Sequence, residues 1–211
     1  MNVVTLRGAM DAVNKLMAAN RDYLVELDQQ NGDGDLGISM AAGFKAVSDY
    51  LAASEEKDLG KVLMKCGGVF NEAAPSSLGT IISFGFMGMA RALKGKEEAG
   101  AGELAAALEA ALANIMEKAK SKPGEKTILD SLFPAVQALK AHAAEGGLPM
   151  YRAAARAAAE GSEATRNMRS VHGRAAYYGD KSIGVLDGGS VAGKLIFQAL
   201  EEWAAGAGAQ T

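Results

Sequence analysis

Apolar residues recur at intervals of three and four from one end of this 211-residue chain to the other, and no stretch alternates as a half-buried strand does. Leu6, Met10, Val13, Leu16 and Met17 form one such stripe. Met40, Phe44, Val47 and Leu51 form a second, and Leu59, Val62, Leu63 and Cys66 a third. Further helices are predicted from about Ser77 to Leu93, Gly102 to Ala119, Leu129 to Ala144, Pro149 to Thr165 and Gly184 to Ala205, where Ala, Leu, Glu, Lys and Met dominate. The breaks at Lys94-Gly95-Lys96, Pro123-Gly124 and Gly146-Gly147 are short, so consecutive helices should lie antiparallel. The expectation is an all-α protein of roughly eight helices whose many alanines let neighbours approach closely, ending in a frayed Gly206-Ala207-Gly208-Ala209 tail.

Hydrophobic residues make up 49% of the chain, enough for a sizeable core, and nothing forces a second domain, so residues 1–211 are expected to form one. The single cysteine, Cys66, excludes an intramolecular disulfide and fits a reducing compartment, and buried packing accounts for it without any chemistry. The N-terminal MNVVTLRGAMDAV lacks a continuous apolar signal core, and no run approaches the roughly twenty residues that span a bilayer. A soluble, cytoplasmic protein is predicted. Its net charge of -3, with basic residues scattered along the chain, argues against nucleic acid as a partner.

Chemistry concentrates between Glu26 and Met40. Asp28, Asp33 and Asp35 fall within eight positions, with Gly32, Gly34 and Gly37 threaded among them. Close like charges raise one another's pKa and destabilise a loop unless a cation compensates, and a donor set of oxygens alone suits a hard ion such as Mg²⁺. The apolar helical pattern that follows places this cluster beside a helix N-terminus, where amide N–H groups and the dipole favour phosphate. Metal and phosphate together point to a nucleotide. Asn31, Asp33 and Asp35 also alternate as in an EF-hand, but Leu36 stands where that loop requires Gly and Ala42 where it requires Glu. An ordinary capping loop, with Asp35 as N-cap, remains the competing explanation.

Other segments interrupt the helical pattern. Ala73-Ala74-Pro75-Ser76-Ser77-Leu78-Gly79-Thr80 sets Pro before small hydroxylated residues and a helix, which suits either a phosphate cradle or a plain Ser cap. Pro123-Gly124-Glu125-Lys126-Thr127 with Asp130 reads as a sharp turn that surface loops often share. Arg174, after Gly173, could grip a phosphate bidentately or form a surface ion pair. Asp187-Gly188-Gly189-Ser190 puts an acid and two glycines before a helix. Gly188-x4-Gly193-Lys194 mimics a P-loop, but Leu195 stands where Mg²⁺ needs a hydroxyl and no strand precedes it. His142 and His172 have no metal-ligand spacing with each other or with Cys66, so zinc is not expected.

Six ordered segments, spread over essentially the whole chain, resemble the nucleotide-binding L subunit of dihydroxyacetone kinase. They are Asp28-x4-Asp33-Gly-Asp35-x-Gly37, Gly67-Gly68 through Gly79, Pro123-Gly-Glu-Lys-Thr127-x-x-Asp130, Thr165-x-x-Met168, Gly173-Arg174-Ala-x-Tyr177, and Ser182-Ile-Gly184-x-x-Asp187-x-Gly189. The resemblance implies an eight-helix antiparallel up-and-down barrel with the nucleotide site in the loops at one end. It implies ADP or ATP bound through two Mg²⁺ ions on Asp28, Asp33 and Asp35, and a separate K-type subunit that holds the ketose on a histidine. Gly37, Ile38 and Ser39 would contact the nucleotide, Ser77, Leu78 and Gly79 would form a second phosphate cradle, and Asp187, Gly188 and Gly189 the last contact loop. Arg174 would touch the nucleotide and act on its phosphates during transfer, the one catalytic assignment.

Three positions depart from the pattern. Leu36 stands where the family usually has histidine, Pro75-Ser-Ser-Leu-Gly79 replaces a glycine-richer turn, and Asp187-Gly-Gly replaces Asp-Pro-Gly. The acceptor, dihydroxyacetone, erythrulose or another short ketose, is chosen on the partner chain. Two further roles follow from the resemblance: a phosphocarrier whose permanently bound ADP is rephosphorylated by a phosphotransferase-system protein, and a regulatory partner of a transcription factor.

Overall fold

Asn2 opens the first helix with a reciprocal cap, its side chain accepting the Thr5 N–H at 3.0 Å while the Thr5 hydroxyl accepts the Asn2 N–H at 2.8 Å. The computed structural model describes residues 1–208. Among them are nine α-helices: α1 (Val3–Ala19), α2 (Arg21–Asp28), α3 (Leu36–Ala53), α4 (Leu59–Ala73), α5 (Ser77–Ala92), α6 (Ala101–Ala119), α7 (Leu129–Ala141), α8 (Gly147–Ala164) and α9 (Gly188–Gly208). Two 3₁₀ segments, Thr165–Asn167 and Arg174–Ser182, lie between α8 and α9. The only β pairing among the described residues is an isolated bridge between Asn2 and Glu98.

From α3 onward each helix packs on the next, and α1 packs on both α3 and α9, so eight helices close a ring while the short α2 lies against α3 and α9. The packing alternates up and down. Hydrogen bonds from Leu59 to Lys96, from Arg7 to Ser54 and between Met1 and Ala99 gather the starts of α1, α4 and α6 with the ends of α3 and α5 at one end of the ring. The starts of α3, α5, α7 and α9 therefore lie at the other. The all-α ring agrees with the sequence expectation, which lacks one short helix and differs at several helix ends. α2 was not expected, because eight residues with only Leu24 and Leu27 buried carry too little periodicity. α7 ends at Ala141, α9 starts at Gly188 rather than Gly184, and Gly206 to Gly208 continue α9 instead of fraying; Ala209 lies outside the described residues.

The apolar stripes face inward. Phe44 and Phe70 meet edge to face with centroids 5.0 Å apart, and Phe86 stacks obliquely on Phe70 at 6.1 Å, linking α3, α4 and α5. Beside them the helices line a partly open apolar cavity of about 150 Å³ that reaches Met1 and Leu104, away from the α3 start. No helix among the described residues is long and apolar enough to cross a membrane.

Candidate metal centre

α2 ends at Asp28 and α3 begins after Asp35, and the turn between them folds back so that one carboxylate oxygen each from Asp28, Asp33 and Asp35 lies within 4.8 Å of the others. Close backbone approach makes this possible. A Cβ on Gly37 would stand 2.0 Å from the Arg21 carbonyl oxygen, so only glycine lets the first turn of α3 press onto α2. Asp28 accepts the Gly34 N–H at 2.8 Å and holds the turn shut. Asp35 occupies the N-cap position yet makes no capping hydrogen bond, which removes the plain capping explanation.

Partial burial, then the charges of Asp33 and Asp28, raise the Asp35 pKa above the usual aspartate value, with Arg174 opposing. Among the described residues Arg174 is the one cation paired with this cluster, its guanidinium 2.9 Å from Asp33. Both partners are well exposed, so the pair itself adds little stability. Three carboxylates without sulfur or imidazole form a donor set that matches Mg²⁺.

Around this cluster the remaining predicted residues separate into those near it and those already engaged. Ile38 is half exposed on the first turn of α3, whereas Ser39 is buried. At the α5 start Ser76 is the cap, its hydroxyl accepting the Gly79 N–H at 3.1 Å. Leu78, partly buried, packs against the core and offers only its first-turn amide, whereas Ser77 is exposed and offers its amide and its hydroxyl. No hydrogen bond among the described residues joins this turn to the aspartate loop. Asp187 caps α9 through the Ser190 N–H at 2.6 Å and donates its own N–H to the Thr165 hydroxyl at 3.1 Å. Burial pushes its pKa up to about 7, with Asp130 and Asp28 adding to the rise and the Ser190 amide and Lys126 opposing it.

Two of the sequence departures meet in space. Leu36 is buried, and its Cδ2 stands 2.5 Å from where a Cβ on Gly188 would sit. The leucine takes up room that a larger residue at 188 would need. The Pro123–Asp130 turn proves structural: Asp130 accepts the amides of Gly124 at 2.5 Å and Thr127 at 2.7 Å. Its Lys126 is buried and bonds three carbonyls of the 168–185 segment, a role that sequence reading missed because nothing local announces it. His172 sits 2.6 Å from Glu125, and that hydrogen bond leads the causes that hold Glu125 below the usual glutamate range.

A family profile described as DAK2 domain matches residues 30–202. The chain belongs to the DAK2 domain family. This DAK2 domain is 33% identical over 181 residues to the PEP-dependent dihydroxyacetone kinase 1, ADP-binding subunit DhaL, of Listeria innocua serovar 6a, covering 86% of each chain. It is 28% identical over 187 residues to the PEP-dependent dihydroxyacetone kinase, ADP-binding subunit DhaL, of Escherichia coli K12, covering 88% of this chain and 89% of that one. The structure superimposes with a TM-score of 0.76 and 25% identity on the dihydroxyacetone kinase from C. freundii, solved in complex with AMP-PNP and Mg²⁺. That match covers 96% of this DAK2 domain but only 34% of the longer chain. Elsewhere in the DAK2 domain, Gly193 and Lys194 lie within α9, so the P-loop likeness is accidental. His142 pairs with Glu145 beyond the α7 end, and burial pushes the Cys66 thiol up to about 12, leaving it unreactive.

Proposed function

We propose that this DAK2 domain, acting as one nucleotide-binding unit over residues 1–211, is the phosphotransfer subunit of a two-component kinase for a short ketose, dihydroxyacetone or a close relative. ADP or ATP seats with two Mg²⁺ ions on Asp28, Asp33 and Asp35, and the ketose is held on a separate K-type subunit. The observation that carries this reading is the convergence of three carboxylates within 4.8 Å beside an uncapped helix start. The kinase names of the relatives and the AMP-PNP and Mg²⁺ of the solved neighbour support it.

Asp28, Asp33 and Asp35 would hold Mg²⁺, and the bound ion would supply positive charge against the phosphates during transfer. The first-turn amides at Gly37 and Ile38 meet the phosphates, and those of Ser77 and Leu78 and of Gly188 and Gly189 beside Asp187 close the site from the neighbouring helix starts, while Ser39 and Gly79, whose N–H groups already bond the Asp35 carbonyl and the Ser76 hydroxyl, only line it. Arg174 lies against Asp33 before nucleotide arrives, and its planar fork then turns to two phosphate oxygens. No general base is needed on this chain, because its work is positioning and electrostatics.

Purified protein with ATP and dihydroxyacetone alone should form no sugar phosphate, and adding a K-type subunit should restore turnover. A single-chain assay running at about 1 per second or faster removes the two-component reading. The PEP-dependent names of two relatives favour a second version, in which ADP stays bound and a phosphotransferase-system protein recharges it. ADP that survives exhaustive dialysis distinguishes that version from exchange with ATP.

A further inference from the structure

Lys126 makes a complete set of bonds in a place where a cation is costly. An ammonium carries three N–H donors, and here each has a carbonyl acceptor: Met168 at 3.2 Å, Ser182 at 2.6 Å and Val185 at 2.7 Å. The residue is only 4% exposed. Its backbone sits at φ +60, a left-handed conformation that residues other than glycine seldom keep unless their surroundings impose it. The Asp130 carboxylate imposes it by binding the amides of Gly124 and Thr127 on either side. Burial lowers the Lys126 pKa from the usual lysine value, the Asp187 charge opposes that, and Arg166 adds to it.

The three acceptors share a purpose. Met168 lies just before the irregular excursion 169–181, and Ser182 and Val185 lie just after it, so one ammonium grips both feet of the loop. Arg174 rides on that excursion, 2.9 Å from Asp33. Other ties across its base are Ser170 N–H to Ser182 Oγ at 3.0 Å, Gly184 N–H to the Arg166 carbonyl at 2.7 Å, the Arg166 guanidinium to the Gly184 carbonyl at 3.2 Å and the exposed Arg169–Asp180 pair at 3.5 Å, and none of them reaches the α6–α7 turn. The His172–Glu125 contact lies on the same side of the loop as Lys126.

We propose that Lys126 is a positioning residue whose ammonium pins both feet of the 168–185 segment to the α6–α7 turn and thereby sets Arg174 at the aspartate cluster. The pinning stands by itself, and its consequence for ligand rests on the nucleotide reading above. Replacing the ammonium by an apolar chain orphans one buried and two partly buried carbonyls, which regain full partners as the segment opens to water.

The test uses the full chain as wild type, Lys126→Met, Arg174→Ala and the double variant. Amide hydrogen exchange of nucleotide-free protein, followed by mass spectrometry, should be at least tenfold faster over residues 169–181 in Lys126→Met, with α4 and α5 unchanged. In calorimetry with Mg²⁺ and ADP, Lys126→Met and Arg174→Ala should each weaken binding about tenfold, and the double variant should be no weaker than either single one. Should Lys126→Met fail to fold, Lys126→Gln, which keeps two of the donors, is measured in its place and should show the same pattern at smaller size. Exchange unchanged over 169–181, exchange accelerated throughout the ring, or losses that multiply in the double variant would overturn the proposal. If wild type does not bind Mg²⁺ and ADP, the nucleotide reading falls, and the exchange measurement still decides whether Lys126 pins the loop.

Discussion

The starts of α3 and α9 present the same residue type in two opposite uses. Each helix follows an aspartate, Asp35 in one case and Asp187 in the other. Asp187 gives its carboxylate to its own helix, accepting the Ser190 N–H at 2.6 Å. Asp35 makes no such bond and lies instead among Asp28 and Asp33. An N-cap hydrogen bond contributes about 1 kcal/mol, and crowding three carboxylates costs more on top of its loss. A fold that forgoes the first and accepts the second has kept that helix start open for something from outside. The capping position alone therefore does not tell a structural aspartate from a ligand-binding one; the bond made or withheld does.

That contrast breaks most easily at the cluster itself. Asp33→Asn and Asp35→Asn should each weaken binding of ADP with Mg²⁺ by well over tenfold in calorimetry, at least about 1.4 kcal/mol, while nucleotide-free protein melts no earlier because a repulsion has been removed. Unchanged affinity in both would leave Asp35 as nothing more than a poorly bonded cap.

At the α9 start the capping aspartate carries an expected signature in pH. Asp187 has its pKa raised to about 7 by burial, so between the ordinary aspartate value and 7 the folded protein holds a proton that the unfolded chain has released. Stability should therefore fall as pH rises through that window and level off above it, with a slope of at most about 1.4 kcal/mol per pH unit for one proton. Urea midpoints for wild type and Asp187→Asn across the window measure this. A decline that persists unchanged in the asparagine variant assigns it to another group.

The smallest effect tests the contact that joins the two helix starts. Gly188→Ala places a methyl 2.5 Å from Leu36 Cδ2, the movable end of a side chain, so the cost should stay under about 1 kcal/mol and shrink when Leu36→Ala is added. Simple additivity in the melting temperatures would mean that Leu36 swings clear and the two departures are independent.

What could be read from the sequence follows from how far apart the cooperating residues lie. The long helices announce themselves through periodicity, and the aspartate cluster is visible because its members share eight positions and a run of glycines. The irregular stretch from Thr165 to Asp187 has no period to detect, and Lys126 meets Ser182 across 56 residues, so that bond exists only once the ring has formed. The Arg174–Asp33 pair was hidden for the same reason, although the arginine itself had been singled out. At the α5 start the helical pattern beginning near Ser77 already leaves a serine at the cap, and the structure supplies the bond that Ser76 makes there.

The closed ring has a consequence for the order of assembly. Helices α3 to α9 each lean on a sequence neighbour, contacts that form after short loop closures, whereas docking α9 onto α1 joins the two ends of the ring. The aspartates hang on one side of that seam, and Arg174, Asp187 and Gly188 on the other. A chain zipped only as far as α3 and its neighbours already owns the three clustered carboxylates and still lacks the opposing bank. If nucleotide seats as proposed, competence for phosphate requires α9 docked on α1, so nucleotide binding would report ring closure during refolding and a nucleotide lodged across the seam would be a latch that holds the ring shut.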